Sequence, residues 1–208
     1  MNNYLMNPNI IEETNRGIDT IRMVDYLFEN RKICIFGEIT DELSQIVISN
    51  LLYLDEKSPS TEINMYINSP GGSVKAGLAI YDVMQSISSP VNTICINNAA
   101  SMAAIIFVTG YKRKIYENSE ILIHGPYTYP TRSLNISEIE ECYEKIKKSH
   151  DKLTEILLTN SICSLDEINK LMSKDSILTS KETLDKGFAD EIIQSKPRRK
   201  ILKEGKDE

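Results

Sequence analysis

Two stretches place small residues where a strand turns into a helix: "NSPGGSV" (68–74) and "NNAASMAA" (97–104). Each predicts a helix N-terminus, with free backbone N–H groups and a partial positive charge. Such ends suit an oxyanion as well as a phosphate. Set side by side, the two junctions supply one N–H each, from Gly72 and from Met102. Ser101, at the start of its helix, is then aimed at the same spot. Gly72 has no Cβ and permits close approach of a substrate to the backbone. Ala99, Ala100, Ala103 and Ala104 leave room for a substrate or for tight packing. Each stretch also has a plainer reading: SPGG is a turn, and a serine after two alanines is a helix cap.

A serine nucleophile needs a base within hydrogen-bond reach, normally histidine. The chain has two. His150 follows Lys147 and Lys148 on a predicted long helix and reads as a solvated or face residue. His124 ends the strand "ILIH" (121–124) and precedes Gly125-Pro126, which cut that strand off. Strand ends deliver side chains to sites, but on spacing alone His124 stays one of two candidates. Acidic third members abound, with 30 Asp and Glu in the chain, and spacing does not choose among them.

The elements that must position these groups alternate. "RKICIFG" (31–37), "EINMYIN" (62–68) and "VNTICI" (91–96) predict strands. "DELSQIVISNLLYLDEK" (41–57) predicts a helix with Leu43, Ile46, Val47, Leu51 and Leu54 on one face. A second helix follows Ser73, a plausible N-cap, and a third runs from Ser101 to Val108, ended by Gly110. A long helix spans 135–159, opened by an Asn135…Glu138 cap. Two short ones begin with capping boxes, Ser164…Glu167 and Thr179…Glu182. Strands alternating with helices make an α/β domain, with no boundary placed inside it.

Composition narrows the rest. The 208 residues suffice for one sizeable core, and 41% apolar with 26% charged residues is ordinary for a soluble globular chain. A net charge of −6 gives no case for nucleic acid or an anionic membrane. The basic cluster Lys196, Arg198, Arg199, Lys200 reads as a solvated tail. No apolar run reaches the roughly 18 residues of a membrane span. The first fifteen residues lack the basic and apolar regions of a secretory signal. Cys34, Cys95, Cys142 and Cys163 are scattered, with no CxxC, which argues against a disulfide framework or zinc and fits a reducing cytoplasm.

The stretches "YINSPGGSVKAGLAIYDVMQSI" (66–87), "NTICINNAASM" (92–102) and "ILIHGP" (121–126), in that order and at those intervals, resemble the ClpP family, the proteolytic subunit of the ATP-dependent Clp protease. The likeness runs from "IIEETNRG" (10–17) to "LDKGFADEII" (184–193). It implies a spiral of ββα units, shared with crotonases, carrying an inserted handle over 125–162. It also implies an N-terminal axial loop or short propeptide over 1–17, and a flexible tail over 194–208. By the resemblance Ser101 is the nucleophile, His124 the base and Asp175, in "MSKDSILTS", the acid. The backbone N–H groups of Gly72 and Met102 are the oxyanion donors. The activity implied is that of a serine endopeptidase acting on unfolded chains, without metal or organic cofactor. The chains are fed by an AAA+ unfoldase that spends the ATP, and two stacked heptameric rings enclose the sites.

Several positions depart from the family pattern. Ala103 stands for a Gly and Gly125 for a Gln. "YTYPTRSLN" (127–135) replaces a Gly-rich strand, and Ser173-Lys174 replaces an acid-Arg pair that couples the rings. Asn64 replaces a Tyr that, with Tyr66, lines the pocket where the unfoldase docks. Two readings stay open: an active divergent peptidase, and a weakly active structural subunit in a mixed particle with a second ClpP. A crotonase-type acyl-CoA enzyme would share the fold, but the AASM and IHGP motifs argue against it.

Overall fold

The computed structural model describes residues 9–14, 17–128, 130 and 132–195. Most of the expected axial segment, and the basic cluster of the tail, lie outside them. A hairpin, β1 (Asn9–Thr14) and β2 (Gly17–Arg22), precedes a short helix α1 (Met23–Glu29). Then come β3 (Lys32–Phe36), α2 (Asp41–Lys57), β4 (Ile63–Ser69) and α3 (Val74–Ser86). They are followed by β5 (Val91–Ala100), α4 (Met102–Val108), β6 (Arg113–Tyr116) and β7 (Glu120–Ile123). Last are α5 (Ile136–Thr159), α6 (Leu165–Met172), β8 (Ser176–Thr179), α7 (Ser180–Asp185) and β9 (Glu191–Ile193).

β3, β4, β5, β6 and β9 pair in parallel in that order, each fed by a crossover. The ten-residue β5 is the turning point. Its first half pairs with β6 (Thr93 to Cys95 opposite Arg113 to Ile115), its second half with β7 (Asn98 to Ala100 opposite Glu120 to Leu122). Between the halves the register against β4 shifts, from Ile67–Cys95 to Ser69–Ala99. Asn97 takes a left-handed backbone there, φ 64°, which asparagine tolerates. Its N–H donates to Ser119 Oγ at 2.7 Å, plugging the gap where the strand changes partner. This is the mixed α/β architecture expected, with the sheet turning on itself at the bulge.

The core forms where the two periodicities meet. β4 alternates, with Ile63, Met65 and Ile67 fully buried, and α4 is buried along its whole length. Burying each such side chain contributes about 1.5–3 kcal/mol. The face expected for α2 is corrected at one place: Ile46 is 58% exposed, and Ser44 is buried beside Val47, Leu51 and Leu54. The Ser44 hydroxyl donates to the Ala76 carbonyl at 2.9 Å, so a bonded hydroxyl, not an apolar side chain, joins α2 to α3. The strand that the resemblance implies after His124 does not form among the described residues of 124–134. Pro126 and Pro130 each remove a ladder donor from this stretch. All three capping boxes are present.

Arg113 ties β6 to the end of α5 and to the segment before β9. Its guanidinium, 15% exposed, donates to the carbonyls of Asn160 (2.7 Å) and Gly187 (2.8 Å) and pairs with Asp190. Arg113→Ala is expected to cost about 2–3 kcal/mol in urea unfolding, because the part-buried carbonyls lose charge-assisted donors. The same hydrogen bonds hold the Asp190 carboxyl below its ordinary 3.8. Its contribution is therefore complete above that value and is lost as pH falls through the lower folded one. Asp190→Asn should flatten the acid side of the stability–pH curve. An unchanged curve would show the pair to be idle.

Candidate active site

Four groups meet at one end of the sheet, and the strand directions explain why. β4, β5 and β7 run parallel and adjacent, so their C-terminal ends lie together. Gly71 and Gly72 follow β4, Ser101 follows β5 and His124 follows β7. β8 runs antiparallel to β7, with Ser176 opposite Ile123, so Asp175 enters at the same end, one step past that pair. A crevice at the carboxyl ends of parallel strands is where an α/β sheet holds its ligand.

Ser101 does not cap α4. Its side chain makes no capping hydrogen bond, and its backbone sits at φ 55°, ψ −123°. A positive φ in a residue with a Cβ is strained by about 1–3 kcal/mol. Two contacts hold it: the Ser101 N–H donates to the Leu122 carbonyl at 2.7 Å, and Gly71 presses on it from above. A Cβ on Gly71, itself at φ 93°, would lie 2.6 Å from the Ala100 oxygen and 2.7 Å from Ser101 Cβ. The close approach assigned to Gly72 is corrected in its object. The space a Gly72 side chain would need is filled by the Ile39 main chain, not left for a ligand.

That approach sets the first N–H. Ile39 forms a parallel bridge across Gly72, donating to the Gly71 carbonyl (2.8 Å) and accepting from the Ser73 N–H (2.9 Å). Both bonds go to the neighbours of Gly72, so its own N–H faces the other way, toward the Ser101 side. The second N–H belongs to Met102, the first residue of α4, which has no intrahelical acceptor. The Met102 side chain fills the notch at Gly77, where any Cβ would overlap it, and so locks α4 against α3.

His124 and Ser101 line one cavity of about 530 Å³ with Gly71, Gly72, Pro126 and Tyr127. His150 does not line it. It lies behind Gly125, its ring 3.6 Å from where a Gly125 Cβ would stand. So one of the two candidate bases shares a cavity with the serine. The His124 Nδ1 lies 2.6 Å from the Gly125 carbonyl. A carbonyl only accepts, so Nδ1 carries the proton, and in the neutral ring that tautomer puts the lone pair on Nε2. Tyr127 stacks on the ring, centroids 5.2 Å apart. No hydrogen bond joins His124 to Ser101 or to Asp175, which is exposed and does not line the cavity. The three are brought to one end of the sheet but not linked in this conformation.

Gly71, Glu38, Pro126 and Tyr127 were not singled out as wall residues by sequence. A positive-φ glycine beside the predicted turn was the available signal for Gly71 alone. Cys95, on the strand that leads into Ser101, is no rival nucleophile: burial pushes its thiol up to about 12. Asn64 lies on the sheet's outer face, accepting from the Asn92 amide at 3.3 Å. That amide also donates to Glu62, which Lys112 pairs with. Lys112 and Asn92 together hold the Glu62 carboxyl below its usual range. Tyr66 stands one alternation along β4, between Cys34 and Ile94.

Among models of known families, that of the Clp protease matches residues 15–196.

Gly71→Ala should test the press on the serine. The added methyl has no room, so Ser101 and the Met102 N–H must shift. The rate of labelling by a fluorophosphonate, read by intact mass, is expected to fall at least about tenfold, with a fold loss of about 1–3 kcal/mol. An undiminished rate would mean that Gly71 does not set the serine.

Proposed function

The chain belongs to the Clp protease family, and we propose that this site is a serine endopeptidase centre working by acyl transfer. The observation that carries it is Ser101, held in a strained backbone at a strand end and lining one cavity with His124, beside the Gly72 and Met102 N–H groups, which have no acceptor among the described residues. His124 Nε2 takes the Ser101 proton as Oγ attacks a peptide carbonyl. The N–H groups of Gly72 and Met102 hold the oxyanion. His124 returns the proton to the leaving amine, and water then releases the acyl-enzyme. Asp175 takes over the Nδ1 proton from the Gly125 carbonyl when the ring turns, orienting His124 and stabilising its cationic form. No metal or organic cofactor enters these steps.

The working particle is a ring of copies, stacked through α5 and fed by an AAA+ unfoldase. α5 supports the stacking: Ile136, Ile139 and Tyr143 recur on one side of it and are 76%, 54% and 59% exposed. A helix with such a stripe buries it against something. The second reading, a structural subunit in a mixed particle with another ClpP, is favoured by the polar row around Asn64 and by the unlinked His124. A hydrophobic docking loop gains nothing from a face made of Glu62, Asn64, Asn92 and Lys112.

Fluorophosphonate labelling of the protein alone, and then mixed with a second ClpP, separates the two. Labelling alone supports an active homo-oligomer. Labelling only in the mixture means that a partner ring assembles the site. Labelling in neither, with a mixed particle formed, leaves the structural reading. Wherever labelling occurs, Ser101→Ala should abolish both it and peptide hydrolysis, and survival of either would overturn the nucleophile. Asp175→Asn should lower kcat by about a hundredfold or more. A kcat near that of the parent would assign the orienting role to the Gly125 carbonyl instead.

A further inference from the structure

We propose that Glu38 is a specificity-determining residue that selects a lysine or arginine side chain beside the scissile bond. The inference rests on the peptidase reading of Ser101 and names the substrate class that the site would take.

Among the described residues, Glu38 is the one carboxylate on the wall of the cavity that Ser101 and His124 share, and no lysine or arginine lines it. Its position is fixed by the segment carrying Gly72, one of the two oxyanion donors. On one side the Gly37 N–H donates to the Asn68 carbonyl at 3.1 Å. On the other Ile39 is bonded both ways to Gly71 and Ser73. Residue 38 is thus pinned between two attachments to the chain that carries Gly72. Its side chain, by contrast, is uncommitted. Some other surface acids are paired, Glu62 with Lys112, Asp190 with Arg113 and Glu138 with Arg132, but none of these lines the cavity. Glu38 makes no ion pair and no hydrogen bond to any described residue.

A fixed backbone with a free carboxylate at a cavity wall suits recognition of a cation brought from outside. It also costs something when no cation comes. The proposed reaction builds negative charge on an oxygen held by the neighbouring Gly72 N–H, and a bare carboxylate on the same wall opposes that charge. A lysine or arginine of the substrate removes the opposition and gains an ion pair. A substrate with an apolar side chain leaves it in force. The net charge of −6 biases encounter in the same direction.

The test uses one peptide sequence carrying Lys, Arg, norleucine or Glu on either side of the cleaved bond. Cleavage is read as kcat/KM on the full-length protein, in whichever assembly labels with fluorophosphonate. The Lys and Arg peptides are expected to be preferred about three- to tenfold over norleucine, and the preference to shrink between low and high salt. Glu38→Gln should erase the preference, and Glu38→Lys should turn it toward the Glu peptide. Equal cleavage of Lys and norleucine peptides, or a preference that survives Glu38→Gln, overturns the inference. Binding of the same peptides to Ser101→Ala, by fluorescence anisotropy, reads recognition without chemistry. A cationic preference in binding that needs Glu38, with no labelling of Ser101 anywhere, would sink the peptidase reading and leave the cation site standing. Labelling of Ser101 with no such preference does the reverse.

Discussion

The contact of Gly71 with Ser101 governs the geometry of the whole site. A serine with its Cβ at φ 55° would relax if it could. It is held from below by the pairing of β5 with β7, through the Leu122 carbonyl, and from above by a glycine with no side chain to collide. The same overlap fixes the distance between the two junctions, because Gly71 also sits against the Met102 nitrogen, 3.0 Å from the Cβ it lacks. One backbone-on-backbone approach therefore sets the nucleophile's direction and the spacing of both oxyanion donors. The Met102 side chain in the Gly77 notch and the Ile39 bridge at Gly72 fasten the two ends of that approach to α3 and to the chain leaving β3.

The histidine is less firmly determined. β7 ends at Ile123, and from there its ring is held by the next residue's own carbonyl and by Tyr127. The carbonyl imposes the tautomer that a base requires, with the proton on Nδ1. It does so with a group that cannot balance a positive ring as a carboxylate can. Gly125 is fixed in turn, its N–H donating to the Met172 carbonyl at 2.8 Å, and a Cβ there would crowd that carbonyl at 3.0 Å. The segment after His124 is thus tied to the end of α6, which leads directly to Asp175. A shift of α6 and its following turn would move the carbonyl and the carboxylate together, so the two competing acceptors for one proton sit on a single connected piece of chain.

Legibility in the sequence follows how local each feature is. Ser73, Asn135, Ser164 and Thr179 announce their helices because a cap is settled within four residues. The junctions at Gly71-Gly72 and Ala100-Ser101 show for the same reason, although the left-handed serine was not visible: its strain comes from β7 and Gly71, both distant in the chain. β5 is four residues longer than its apolar run suggests, because a bulge carries the strand through Asn97 and Asn98. β6, β8 and β9, three or four residues each, owe their existence to pairing and leave little pattern. Asp175 was reached through resemblance alone. The register of β8 on β7 that brings it near His124 is a tertiary fact, and so is the wall position of Glu38, which depends on the Ile39 bridge.

The polar row on the sheet's outer face shows why a single substitution understates a departure. Asn64 taken alone is an amide in place of an aromatic ring. In the fold it accepts from Asn92, a residue only 4% exposed, whose amide also serves Glu62, itself paired with Lys112. Removing one member weakens the others: without Lys112 the Glu62 carboxylate keeps only the Asn92 amide and the more distant Lys114, and without Asn64 the Asn92 amide loses one of its two acceptors. Such a network resists piecemeal return to an apolar surface, since each intermediate carries unpaired polar groups in a half-buried row. The face is therefore committed to polar contact as a unit. A partner that meets it must bring hydrogen-bonding groups of its own or bind elsewhere on the chain.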